Sequence, residues 1–194
     1  MVLDEARLAD MSILRRSKRR QALLDRIMTS FRLTFQELKF ELDADNTIIN
    51  AQALTFHGRR YVRIYGGLAF HPLVGRQLLI FILLHETGHH LAHGNRLPWD
   101  PRLACECVSD HWAVTQGAAA LRASDGTRLI LGSAIRQMDL FFDHQRHLDI
   151  LSTIDRRECW AFNWSKRKRS LATKQQVGKP LCPLAKIVLH DATH

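Results

Sequence analysis

His85-Glu86-Thr87-Gly88-His89 sets two imidazoles four residues apart, with a carboxylate beside the first. On a helix, positions i and i+4 share one face, so both rings can reach a single metal ion. Glu86 falls to the same side and can take a proton from water acidified by that ion. A catalytic zinc asks for three protein ligands and one open position. Glu106 is the expected third ligand, offered from the far side of a chain reversal. Asp110, one turn later, is expected to accept the second ring N–H of a ligand histidine and so fix its tautomer. His93 competes for the third position, on the same stripe but near the helix end. His90 and His111 are expected on other faces, as structural or exposed residues. Cys105 and Cys107 flank Glu106 and are read as projecting from other faces, and no second Cys-x-Cys pair exists to complete a thiolate site.

These residues need a rigid frame. The apolar run Leu78 to Leu84 leads into the motif, and residues 73–93 read as a buried helix ending at Gly94. In that setting His and Glu carry a desolvation cost unless paired or metal-bound. Gly88 is expected to admit another backbone segment closely. Asn95 to Arg102, with Pro98 and Pro101, reads as a loop. Residues 103–121 read as a helix returning antiparallel to the first, and a further helix is expected over 128–154. Upstream, residues 37–43 alternate polar and apolar like a half-buried strand, and strands are expected near 48–54 and 60–65. Residues 3–30 read as a helix whose run Arg15 to Arg20 forms a solvated basic face. The fold class expected is α+β: a short, mainly antiparallel sheet packed on the motif helix and further helices. Residues 1–164 form the expected domain, with 46–121 as its metal core. Residues 165–194 are expected to be a basic, mobile tail in which 181–189 can dock back.

The chain has 194 residues, 46% hydrophobic and 24% charged. That is ordinary for a globular protein and excludes collagen-like, disordered and disulfide-scaffold classes. No apolar run approaches the ~20 residues of a membrane span. The N-terminus shows no secretory h-region, and the four cysteines are read as reduced thiols, so a cytoplasmic location is expected. The net charge of +9 is concentrated: Arg156 to Lys186 carries nine Lys or Arg against Glu158 alone. Nucleic acid or an acidic partner could engage that region. P-loop, Rossmann and nucleophile-elbow patterns are absent.

Glu106-Cys-Val-Ser-Asp110-His-Trp-Ala113 resembles the E-x-x-x-D-x-x-A element of gluzincin metallopeptidases, which carry HExxH on one helix and a glutamate ligand on the next. More specifically, residues 46–115 are similar to the catalytic core of the HtpX-type and CAAX-prenyl-protease family. Asn50-Ala51, Tyr61 to Leu68, and Leu78 to His89 follow one another in that family's order. Those relatives usually carry membrane helices, so this chain would be a soluble, minimal version. The phage-immunity-repressor peptidases of the ImmA/IrrE type are similar as well. Both resemblances imply a small zincin-like domain, one zinc held by His85, His89 and Glu106, and Glu86 as general base.

The expected function is a zinc-dependent endopeptidase acting on a protein or peptide, its substrate lying extended along a sheet edge. The strand Arg60 to Tyr65 is the expected edge. A non-enzymatic, metal-stabilised regulator whose basic region binds nucleic acid or an acidic partner is the rival reading. A zinc hydrolase with a non-peptide substrate is a third, because HExxH sets the water chemistry and not the scissile bond.

Overall fold

Helix α1 (Lys18–Thr34) begins where Ser17 Oγ accepts the Arg20 backbone N–H at 3.2 Å, a side-chain N-cap. Leu24, Ile27, Met28 and Phe31 recur at helical spacing and are buried, so this stripe faces the core. Arg20 departs from the expected solvated face: its Nε donates to the Ala69 carbonyl at 2.8 Å. The computed structural model describes residues 17–97, 100–147, 168 and 171. The beginning of the helix expected over 3–30 therefore lies outside the described residues, while its end extends to Thr34.

Three strands form the main sheet: β1 (Lys39–Asp43), β2 (Ala51–Phe56) and β3 (Arg59–Tyr65). His57 and Gly58, with φ of 46° and 73°, turn β2 into β3. Two consecutive positive φ values match the twist of a tight hairpin. The strand order is β1-β3-β2, with β1 parallel and β2 antiparallel to β3. This corrects the expected edge. Arg60 to Tyr65 lies in the central strand, because the hairpin fixes β2 on one side and β1 takes the other. Val62 and Ile64 are fully buried, as a central strand's inward residues should be. After β3, Gly66 and Gly67 open a short helix, α2 (Gly66–Ala69), where any side chain would run into the Ala44 and Thr47 carbonyls.

Helix α3 (Arg76–Leu91) carries the motif. Leu78, Leu79, Ile80, Phe81, Leu83 and Leu84 are each at most 1% exposed, so the helix is enclosed nearly all round. It is shorter than the expected 73–93: Gly75 caps it at one end and extended Ala92 at the other. The chain then forms a small hairpin, β4 (Arg96–Leu97) with β5 (Asp100–Ala104), where a loop was expected. That hairpin also takes Leu103 and Ala104 from the expected 103–121 helix. The helix starts instead at Glu106, as α4 (Glu106–Trp112). It passes through a π-helical turn (Ala113–Gly117) into α5 (Ala118–Asp125), and Gly126 at φ 77° ends it. The last helix, α6 (Leu131–His147), buries Ala134 and Met138, and residues 148–154 of its expected span lie outside the described residues.

The architecture is thus a small α+β domain. The sheet covers one side of α3, while α4 and α6 pack on others. No helix among the described residues is long and apolar enough to cross a membrane. Most of the expected basic tail is outside the described residues, but two of its members rest on the domain. Lys168 pairs with Asp139 of α6, and Leu171 is buried.

Candidate metal centre

Helix α3 presents His85 and His89 on one face, as their spacing predicts, with ring centroids 4.6 Å apart and planes at 83°. Their Nε2 atoms approach to 3.1 Å. Helix α4 brings Glu106 against both: Oε2 is 3.0 Å from His85 Nε2, and Oε1 is 3.5 Å from His89 Nε2. Ligand atoms about 2.0–2.1 Å from a tetrahedral zinc lie about 3.4 Å apart, so these three outline one face of such a tetrahedron.

The other ring nitrogens settle the tautomers. His85 Nδ1 is 2.8 Å from Asp110 Oδ1, and Asp110 is 1% exposed. His89 Nδ1 is 2.6 Å from the Ala104 carbonyl, with Ser109 Oγ 3.0 Å from the same nitrogen. A carbonyl and a carboxylate only accept, so both Nδ1 atoms carry the proton. In neutral rings both Nε2 atoms then bear lone pairs, and these face each other and the Glu106 carboxylate. Three acceptors converging in a buried space suit a shared proton or a metal cation between them. A group of this kind could hold a metal ion, and Asp110 and the Ala104 carbonyl would orient its two rings.

Glu86 stands beside this cluster. His85, Glu86 and His89 bring ligand atoms within 4.8 Å of one another. Glu86 is engaged differently from Glu106, because its Oε2 accepts the Ala53 N–H of β2 at 2.8 Å. Glu86 is half-buried. Burial pushes its pKa up, while His89, His85 and the Ala53 N–H pull the other way. A carboxyl raised in this way is a better proton acceptor near neutral pH.

His85 responds to the same surroundings in the opposite sense. Burial disfavours its charge, but the Asp110 and then the Glu106 carboxylates outweigh that and raise its pKa to about 10. In the metal-free chain a proton therefore occupies the centre at neutral pH. A folded pKa above the unfolded value means protonation favours the fold. That stabilisation is complete below about pH 6.5 and is lost as pH rises through about 10. The urea midpoint of chelator-treated protein is thus expected to fall between pH 7 and 10. With a bound metal replacing that proton, the same titration should be flatter.

Close packing of α3 on α4 makes the convergence possible. A Cβ on Gly88 would lie 2.9 Å from Ser109 O and 3.0 Å from Ser109 Cα, as the close approach read from the sequence requires. Gly88→Ala gains about 1 kcal/mol of helix propensity. It loses about 1–3 kcal/mol by overpacking against backbone that cannot rotate away. The net expectation is a loss of up to about 2 kcal/mol, a Tm lower by up to about 8 °C, and weaker metal binding. Calorimetry with and without added zinc checks both.

The remaining sequence candidates divide clearly. His93 is exposed and lies beyond the end of α3. His90 is buried, and its Nε2 meets the Tyr61 carbonyl at 2.9 Å, tying the helix to the sheet. His111 is half-buried in α4. Cys105 and Cys107 differ from expectation: they do not diverge, and their Sγ atoms are 3.1 Å apart. Three participants escaped the sequence reading. The Ala104 carbonyl and the Ala53 N–H are backbone groups, which leave no signature in residue type. Ser109 could have been found, since it sits one helical turn after Glu106. Comparison with family models, curated proteins and solved structures finds no match for this chain.

Proposed function

We propose that the chain is a gluzincin-type zinc peptidase, with His85, His89 and Glu106 as metal ligands and Glu86 as general base. The observation that carries this reading is the convergence of two histidine lone pairs and the Glu106 carboxylate within 3.0–3.5 Å of one another. Zinc held there supplies a Lewis acid that acidifies water and polarises a carbonyl. Asp110 and the Ala104 carbonyl hold the rings in the tautomer that leaves Nε2 available. Glu86 takes the proton of the attacking water and returns it to the leaving amine. Its second contact, the Ala53 N–H, keeps the carboxylate beside the centre and ties the reaction site to β2.

That tie also favours a place for a peptide substrate. Among the described residues β2 pairs with β3 alone, so its outer side is an edge running past Glu86. A peptide in extended form adds to such an edge through main-chain hydrogen bonds. This replaces Arg60 to Tyr65 as the substrate strand. An intact Glu86, positioned and with its pKa raised, favours an enzyme over a purely structural metal site. Binding of nucleic acid or an acidic partner through Arg156 to Lys186 belongs to the rival reading.

The test is elemental analysis of the purified chain, followed by hydrolysis of a quenched peptide library. About one zinc per chain is expected, with cleavage that stops on chelation and returns with zinc. Folded protein that takes up no zinc when offered it, or zinc protein that cleaves no peptide, would overturn the reading.

A further inference from the structure

Glu106 is flanked by two thiols that the fold brings together. Cys105 is the N-cap of α4 in an extended conformation (φ −72°, ψ 163°), and Cys107 is in the first turn. Their Sγ atoms are 3.1 Å apart. Helix geometry places Cα atoms two residues apart at about 5.4 Å, inside the range of about 4.4–6.8 Å that a disulfide spans. Cys105 is fully buried and Cys107 is half-buried, so only one of the pair meets solvent.

We infer that Cys105 and Cys107 form a reversible disulfide that withdraws Glu106 from the metal centre. The effect on the metal rests on the ligand assignment proposed above; the bond itself does not. The oxidant is a peroxide, here hydrogen peroxide. Cys107 Sγ attacks one peroxide oxygen, the O–O bond breaks, and the other oxygen leaves as water. Cys107 is thereby oxidised by two electrons to the sulfenic acid. Cys105 Sγ then attacks the Cys107 sulfur, forming the S–S bond and expelling the hydroxyl as a second water. The two thiol protons leave in the two waters, and a dithiol reverses the step by exchange.

The geometry explains the consequence. The ring closed by this bond contains the N, Cα and C atoms of Glu106, so its backbone torsions share the closure with the side-chain torsions of the two cysteines. The sulfurs must approach from 3.1 Å to about 2.05 Å. If even about a quarter of that ~1 Å approach is passed to the Glu106 carboxylate, it exceeds the tolerance of about 0.2 Å on metal–ligand distances. Buried Cys105 is held by the core, and its backbone N–H donates to the Asn95 carbonyl at 2.8 Å. The movement therefore falls on Glu106 and Cys107.

The experiment treats the full chain with hydrogen peroxide, then alkylates and digests it with trypsin. One tryptic peptide, residues 103–122, carries both cysteines and neither of the other two. It should lose two hydrogens and resist alkylation, and zinc affinity should fall at least about 10-fold. A dithiol should restore both. Cys107→Ser, which leaves the buried cysteine in place, should keep its zinc under peroxide. If the reduced chain holds zinc but no bond forms, or zinc stays after the bond forms, the switch is wrong and the metal assignment stands. If the bond forms but neither state holds zinc, the metal assignment fails and the switch fails with it. A second zinc lost in Cys107→Ser would assign the thiols to metal binding and overturn the disulfide.

Discussion

Glu86→Gln is expected to keep about one zinc per chain while lowering peptide hydrolysis by about 10²–10⁴-fold, the contribution of a positioned general base. The variant suits the site. Glutamine keeps a carbonyl oxygen that can accept the Ala53 N–H, now made by Glu86 Oε2 at 2.8 Å, so the tie between α3 and β2 survives. What it lacks is the basic oxygen. The loss should therefore appear in kcat with little change in KM or in melting temperature. The pH profile adds a second readout. Burial holds the Glu86 carboxyl above its ordinary value, and a general base acts in its carboxylate form. The wild-type rate should fall as pH falls through that raised pKa, and the limb due to Glu86 should vanish in the variant. A variant with wild-type kcat would show that Glu86 is not the base.

The sequence made the motif helix legible because a chemical and a packing signal coincide there. Leu78 to Leu84 demand burial, and buried His85 and His89 at helical spacing then demand a partner. Glu106 and Asp110 were legible for the same reason, four residues apart on one helix face and across a chain reversal from the histidines. The strand order was not. A β2–β3 hairpin can be read from alternation and a turn, but its neighbour on the other side depends on where β1 lands, which is a tertiary outcome. The β4–β5 hairpin was hidden by Pro98 and Pro101, which read as loop because proline is tolerated only at strand edges. The thiol contact escaped because side chains two apart point to different faces within a helix. Cys105 is not within it: as an extended N-cap, it turns its sulfur toward Cys107.

Glu106→Ala separates this ligand set from its rivals. Zinc affinity is expected to drop by more than the 10–100-fold typical of losing an orienting partner, because a ligand itself is removed. Two effects oppose each other in the variant. The Glu106 carboxylate helps to raise the His85 pKa to about 10, so removing it weakens the proton that competes with zinc. That favours the metal. Against it stands the loss of one of three donors and of the negative charge beside two neutral imidazoles. The donor loss should win, because Asp110, 2.8 Å from His85 Nδ1, still holds much of the competing proton in place. Wild-type affinity should rise about tenfold per pH unit below about pH 10, one proton leaving for each zinc bound. The variant should show the same slope ending at a lower pH. Calorimetric titrations in buffers of different ionisation enthalpy measure both quantities. Zinc retained at full affinity by Glu106→Ala would move the third ligand to Glu86, the other carboxylate close to both histidines. It would also remove the general base, since one carboxylate cannot both bind the metal and take the proton.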